Sequence, residues 1–414
     1  MKRILILGAG SAGTMMAQQL SRKIDKKNWS ITVVDGHTSH YYQPGFLFMP
    51  FGVYEPKQIR KPIVEFMPKS VEFVQKRAEI IETDKNSVTL ADETVLEYDI
   101  LIIATGARIV PEETEGLMGD HWHKDVFDFY TIEGSLALRE KLSNWEGGNL
   151  VVHVTEMPIK CPVAPLEFAF LSDAFFRKKK MRDRVNISYV TPLSGAFTKP
   201  VASRVLGHLL EEKEIKIVPD FEIESVDGEA RQITSYGGVK IDYDLLVTTP
   251  TNMGDSLMER SGLGDDLNFV PTDKFTLQSK AKENVFVVGD ATDVPASKAG
   301  SVAHFECELL TENILRFTAG EDLVGDFDGH ANCFIESGHK KGFLIDFNYD
   351  LEPVEGTYPL AGIGPLRLLK ESRMNHLGKI GFRHMYWKLL LKGHKIPFIK
   401  PQMTLRGKKI NKEA

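Results

Sequence analysis

The sequence predicts an α/β protein made of two Rossmann-like dinucleotide-binding domains followed by a C-terminal membrane-associating segment. Three observations carry this reading. A glycine-rich loop joins a strand to a helix near the N-terminus, strand–helix alternation repeats through the middle of the chain, and basic and aromatic residues accumulate after position 370. At 414 residues the chain has room for two or three domains. Its 42% hydrophobic and 26% charged residues are those of a globular protein. No apolar run approaches the ~20 residues of a membrane-spanning helix. The net charge of -6 argues against nucleic acid as the partner.

Residues 3–7 form an apolar run of strand length, and Gly8-Ala9-Gly10-Ser11-Ala12-Gly13 follows and opens a helical segment. A second strand over 31–34 ends at Asp35 and Gly36. This is G-x-G-x-x-G in its required setting, with an acidic residue about twenty positions on. Gly8 permits the turn, Gly10 lets the backbone approach a pyrophosphate, and Gly13 lets helix and strand pack closely. The anion then meets the free N–H groups and positive dipole end of the helix. The same N-terminal residues superficially resemble a signal peptide, but they complete a strand–loop–helix unit, so that reading is rejected.

Two later strands narrow the nucleotide. One ends in Ala104-Thr105-Gly106 and the other in Gly289-Asp290. With the first loop they resemble the two-domain flavoproteins of the glutathione-reductase-like group. The resemblance implies FAD, with Asp35 on the adenosine ribose and Asp290 on the ribityl and pyrophosphate part. It places residues 1–111 and 281–330 in the FAD-binding domain, 112–280 in an inserted second unit and 331–414 in a C-terminal region.

The second unit has the order of an NADH domain, with strands expected over 150–154, 185–189, 215–218 and 245–248 and helices over 164–177 and 201–212. Its first loop reads Val154-Thr155-Glu156-Met157-Pro158-Ile159-Lys160-Cys161-Pro162-Val163-Ala164-Pro165. Every residue carries a side chain and three prolines donate no N–H, so a pyrophosphate has no close approach. The next strand ends at Thr191-Pro192, without a ribose carboxylate. The nicotinamide site is expected to be lost.

The chain has three cysteines, Cys161, Cys307 and Cys333, too few for a disulfide-stapled secreted scaffold. Cys161 precedes a helix and follows Lys160, a setting that should lower its pKa. Cys307 reads as helix packing. The flavin motifs, the Pro158-Ile159-Lys160-Cys161-Pro162 loop and the segment Cys333-Phe334-Ile335-Glu336-Ser337-Gly338 together resemble sulfide:quinone oxidoreductases, relatives of flavocytochrome c sulfide dehydrogenases. The resemblance implies a Cys161–Cys333 redox pair beside the flavin. Hydrosulfide would open the bridge by thiol–disulfide exchange and leave a persulfide on Cys333, with electrons then passed to quinone. It also implies Glu167 as a proton-handling acid, the segment from His40 through Pro44 to Phe46 as a loop past the flavin, and Lys298 with Gly300 near its pyrimidine side. No cysteine lies between Ala107 and Lys160, so covalent flavin attachment there is excluded. No metal is called for.

From Lys370 onward twelve basic residues, the last of them Lys412, face only Glu371 and Glu413. His384, Lys388, Lys392 and Lys395 share one helical face, with Phe382, Tyr386, Leu389 and Leu390 opposite. The expected amphipathic helix begins after Lys379 and Arg383, which fall off the stripe. It would lie on an anionic lipid surface with Tyr386 and Trp387 at headgroup level, making the protein peripheral on the cytoplasmic side of the cell membrane. Phe343, Phe347 and Tyr349 follow Cys333 and are expected around the quinone. A homo-oligomer is compatible with the sequence. Three other readings stay open: a sulfide dehydrogenase donating to a cytochrome, a type-2 NADH:quinone oxidoreductase, and a non-catalytic persulfide-binding flavoprotein.

Overall fold

The computed structural model describes residues 1–409; Lys412 and Glu413 of the basic tail lie outside them. The first sheet is wholly parallel, with strands in the order Val285–Val287, Ile100–Ile103, Lys2–Leu7, Trp29–Val34 and Glu72–Val74. Ile100, Leu101, Ile102 and Ile103 are all buried, because a parallel strand covered on both faces has no solvent side. The helices Ser11–Lys23 and Gly300–Ala319 pack together on one face of this sheet. Cys307 sits in that contact, with its thiol donating to the Ala12 carbonyl at 3.5 Å, in line with a packing role.

The second sheet is also parallel, in the order Val126–Phe127, Leu245–Thr249, Gly148–Val154, Val185–Val190 and Ile215–Val218. The expected strands and the helices Ala164–Lys178 and Pro200–Glu212 are present. The antiparallel pair Ala107–Ile109 and Asn252–Gly254 joins the two units where the chain leaves and re-enters the first.

The C-terminal region is a sheet in its own right, ordered Ala331–Gly338, Lys341–Phe347, Gly364–Leu368, Gly356–Leu360, with the helix Arg373–Met385 laid against it. Cys333 and Ile345 are directly opposite one another, as are Glu336 and Gly342. Alternation along the first strand therefore sends Cys333 and Ile335 to one face, and Phe334 and Glu336 to the other.

The helix Ala164–Lys178 presents the cysteine loop at its N-terminal end and is anchored at the other by Asp173. That carboxylate is fully buried and meets Arg177 at 2.9 Å, Arg182 at 2.8 Å and Lys213 at 3.8 Å. Arg182 further donates to the Val185, Lys213 and Glu214 carbonyls. Asp173→Ala leaves these cations without their counter-charge. It should lower the unfolding free energy by about 3 kcal/mol in a urea titration.

Candidate active site

The first glycine loop has the contacts its three positions require. A Cβ on Gly8 would lie 2.4 Å from the Ala104 carbonyl oxygen, and one on Gly13 would lie 1.8 Å from that of Gly8. A Cβ on Gly10 would meet no protein atom within 4 Å, and the same holds at Gly106 and Gly300. Gly8 and Gly13 are thus small because the protein crowds them, whereas Gly10, Gly106 and Gly300 border open space. The Thr105 hydroxyl is buried without a partner at this rim. Asp35 accepts from the Ala9 amide at 2.7 Å and from His37 at 2.8 Å. Burial alone would raise its pKa, but these bonds hold the carboxylate below its usual range. Gly36 lies against the Arg77 side chain, and Pro44 is in the first turn of the 3-10 helix Gln43–Phe48. Across the site, Lys298 donates to the carbonyls of Asp290 at 3.0 Å and Thr292 at 2.7 Å. Burial lowers the pKa of Lys298 and raises that of Asp290. Gly289 donates its amide to the buried Glu306 at 2.6 Å. The open glycine, the helix N-terminus of Ser11 and Ala12 and the two carboxylates fit an FAD.

One contact here was not foreseen. The Tyr386 hydroxyl lies 2.6 Å from both Ser11 Oγ and His40 Nε2, and His40 Nδ1 faces the Ala9 carbonyl at 3.2 Å. Burial holds the His40 pKa down at about 4, so the ring is neutral. Nδ1 must then donate to Ala9, Nε2 must accept from Tyr386, and the phenol oxygen accepts from Ser11. The end of the C-terminal helix is bonded to the phosphate-binding loop.

The proline loop turns toward the first domain. The Cys161 amide donates to the Lys298 carbonyl at 2.7 Å, and the Lys160 amide to Asn252 Oδ1 at 3.0 Å. Cys161 has φ 49°, a left-handed conformation that a side-chain-bearing residue keeps only when its surroundings impose it. Cys161 and Cys333 are free thiols, half-buried and buried respectively. They belong to one hydrophobic cluster, and each feels the same two charged neighbours, Glu167 and Lys379.

The expected low pKa of Cys161 is not found. Burial pushes it up to about 12, Glu167 adds to this, and Lys379 with the Ala164 amide opposes it only in part. Lys160 is spent elsewhere, facing Asp290 and Asp128. Burial likewise raises Cys333.

Glu167 is fully buried rather than solvated, and it ion-pairs with Lys379 while accepting from the Glu336 amide at 2.6 Å. Lys379 also donates to the Phe334 carbonyl at 3.1 Å. The Glu336 carboxylate bonds His376 Nδ1 at 2.9 Å, and the His376 side chain is 20% exposed. Glu167, Lys379, Glu336 and His376 therefore make a line of ionisable side chains from the thiols' neighbourhood to the surface. Burial lifts Glu167 to about 7, against the pull of Lys379. Burial would lower Lys379, but Glu167, Cys161 and Glu336 outweigh it and raise it.

Sequence reasoning placed the C-terminal helix wrongly. It begins at Arg373, not after Arg383, and its inward residues include Asn375 and Lys379. Tyr386, Trp387, Leu390 and Leu391 are buried in the protein's own core, with Trp387 stacked on Phe66 at 5.4 Å, so they do not sit among lipid headgroups. The basic stripe of His384, Lys388, Lys392 and Lys395 is exposed. The charge rhythm hides Lys379, and the available signal is its neighbour Gly378, where a Cβ would lie 2.9 Å from the Phe334 ring. Phe343 and Phe347 are buried on the Cys333 side of their sheet. Phe347 lies under Lys199. Tyr349 bonds the Lys274 carbonyl at 3.1 Å and edges onto Phe275 and Phe327. All three belong to the main hydrophobic core, but none is stacked on another among the described residues.

Glu167 binds its proton more tightly folded (pKa about 7) than unfolded (4.5). Its contribution to stability is complete below the unfolded value and is lost as pH rises through the folded one. The stability of the parent relative to Glu167→Gln should therefore fall by up to roughly 3 kcal/mol over that window in urea titrations.

The profile of the pyridine nucleotide-disulphide oxidoreductase family matches residues 2–153. The mouse mitochondrial sulfide:quinone oxidoreductase is 26% identical over 406 residues, covering 94% of this chain and 86% of the mouse protein. The Dictyostelium discoideum protein of the same name is 27% identical, with the same coverage. The crystal structure of the sulfide:quinone oxidoreductase of Aquifex aeolicus superposes with a TM-score of 0.77 at 19% identity, over 95% of this chain and 92% of that one. The open glycine rim, the Asp35 and Asp290 loops and these similarities agree: the chain is a flavin-dependent oxidoreductase with the pyridine nucleotide-disulphide oxidoreductase fold, and along nearly its whole length it resembles sulfide:quinone oxidoreductases.

Proposed function

We propose that the protein oxidises sulfide through a Cys161–Cys333 redox pair and passes the electrons, by way of FAD, to a membrane quinone. What supports this is that Cys161 and Cys333, some 170 residues apart in the chain, share the buried Glu167 and Lys379 as neighbours. Gly8, Gly10, Ser11, Ala12, Gly13, Asp35, Gly36, Pro44, Ala104, Thr105, Gly106, Gly289, Asp290, Lys298 and Gly300 form the proposed flavin cradle. When bound, FAD supplies the two-electron acceptor between thiol and quinone chemistry.

The chain's own residues account for the sulfur chemistry. In the oxidised pair, hydrosulfide attacks the bridge on the Cys333 sulfur and forms a persulfide there, while the S–S bond breaks and the electron pair leaves on Cys161 as a thiolate. The low dielectric that raises both thiols disfavours a bare anion, and the Lys379 ammonium compensates the one that forms. Glu167, near neutrality in its pKa, takes the persulfide proton. Glu336 and the partly exposed His376 carry charge and proton onward to the surface. The glycine-free loop of the second unit is bonded to the Lys298 backbone, and this supports a donor other than NADH.

For the acceptor, Phe343 and Phe347 remain the proposed quinone neighbours, and Tyr349 is less suited because its hydroxyl and ring are engaged. No helix of the described residues is long and apolar enough to cross a membrane. Quinone access is instead assigned to a surface. Ile363 at the tip of the C-terminal hairpin is 78% exposed, Leu377 on the C-terminal helix 58% and Phe398 77%. Exposed Lys370, Arg373, Lys388, Lys392, Lys395 and Lys400 surround them in the chain. Apolar side chains ringed by cations suit an anionic lipid surface.

Two measurements check this. Under anaerobic conditions sulfide, and not NADH, should bleach the flavin's visible absorbance. Cys161→Ser should abolish that bleaching with FAD retained, and Glu167→Gln should slow it by about 10²-fold. A variant reduced as fast as the parent refutes the cysteine assignment. Separately, Ile363→Asp with Leu377→Asp should weaken co-sedimentation with anionic vesicles at least about tenfold while sulfide bleaching persists. A truncation after Lys370 is a poorer test, because it also removes Lys379 and Tyr386.

A further inference from the structure

The helix Ser11–Lys23 meets the end of the chain along one side. Ser11 Oγ lies 2.6 Å from the Tyr386 hydroxyl, and Arg22 donates to the Gly393 carbonyl at 3.2 Å and to that of Lys392. Between them Gln18 packs on Gly393, where an added Cβ would lie 2.9 Å from Gln18 Cβ. Gln18 also donates to the Phe66 carbonyl at 2.6 Å, and the Phe66 ring stacks on Trp387. Ser11, Gln18 and Arg22 recur at seven and four, so they form one stripe of the helix. The stripe starts at the phosphate-binding loop, where the first helical amides have no carbonyl of their own helix to bond.

The bond at Ser11 has one direction. A carbonyl oxygen only accepts, so His40 Nδ1 carries its proton toward Ala9 at 3.2 Å. Among the described residues no carboxylate bonds the buried ring, which is neutral. Nε2 therefore accepts from Tyr386 at 2.6 Å, and the phenol oxygen accepts from Ser11. The single proton of the Ser11 hydroxyl is spent on Tyr386, which leaves the backbone amides of the loop as donors to a pyrophosphate. Tyr386 follows Lys379 by seven residues, about two helical turns. The helix Arg373–Met385 runs directly into a π-helical turn at Tyr386–Leu390, a widened turn of the kind that recurs at functional sites. One continuous element thus bonds the flavin loop at its end and ion-pairs with Glu167 in its middle.

We propose that the Ser11–Tyr386–His40 chain is a clasp through which flavin retention and docking of the C-terminal helix stabilise one another, with Tyr386 the positioning residue that ties the placement of Lys379 to the flavin loop. The coupling is reciprocal by linkage: what the docked helix adds to holding the flavin, the flavin adds to holding the helix. It does not depend on which substrate reduces the flavin.

The test uses the FAD-loaded full chain and two readouts that involve no sulfide. One is the rate of FAD loss into flavin-free buffer. The other is trypsin cleavage after Lys388 and Lys392, exposed side chains on a segment that must open locally to be cut. Tyr386→Phe keeps the ring and removes the hydroxyl, and it should speed both about tenfold, the value of one hydrogen bond. Ser11→Ala should speed the same cleavage from the far end of the chain. The double variant should match Tyr386→Phe, because both substitutions remove one shared bond. Multiplied effects in the double variant overturn the clasp, as does unchanged FAD loss from Tyr386→Phe. Should Tyr386→Phe not be recovered with FAD, Ser11→Ala decides alone, and cleavage as slow as in the parent overturns the proposal.

Discussion

The ammonium of Lys379 is the charge on which the rest of the site depends. It is buried among Glu167, Glu336 and two thiols, in a region where desolvation alone would neutralise every member. In the proposed chemistry this single cation compensates one anion at a time, first a carboxylate and then a thiolate. In that scheme acid–base state and sulfur state are coupled without a low-pKa cysteine. Desolvation also explains why the cysteine can sit beside a helix N-terminus and still have a raised pKa: burial is the larger effect, and the helix amide offsets it only partly.

The C-terminal helix serves three sites with one rigid element. His376 and Lys379, one turn apart, reach the sulfur cluster. Tyr386, beyond its end, closes a directional hydrogen-bond chain onto Ser11 and Ala9 at the phosphate-binding loop. Met374 and Leu377 face outward. A segment that reads in the chain as a tail is thereby part of the active centre, and loss of its packing would disturb flavin and thiols together.

The second domain keeps the architecture of a nucleotide-binding unit while its loop serves a different surface. Prolines remove the donors a phosphate would need, and the remaining amides of Lys160 and Cys161 pair with Asn252 and Lys298 instead. These bonds tie the cysteine's loop to the Lys298 segment of the first domain. Cys161 keeps its strained φ within that tethered loop.

The sequence alone determined what repeats or punctuates. Hydrophobic runs of strand length, the G-x-G-x-x-G spacing and the Gly-Asp and Ala-Thr-Gly strand ends are local signals, and the flavin loop and both parallel sheets, apart from the short edge strands Glu72–Val74 and Val126–Phe127, were legible from them. The cysteine pair was legible only through resemblance. Lys379, Glu336, His376 and Tyr386 were not, because a helical charge pattern reports which face differs from its neighbours and not what lies against it. Lys379 broke the basic stripe and was set aside, although a lone cation off the solvent face is one that has turned inward. Whether Tyr386 and Trp387 meet lipid or protein, and whether Glu167 is solvated or buried, depends on contacts between segments some 200 residues apart. Only the tertiary structure decides those, since burial is a property of the assembled neighbours and sets both partners and pKa.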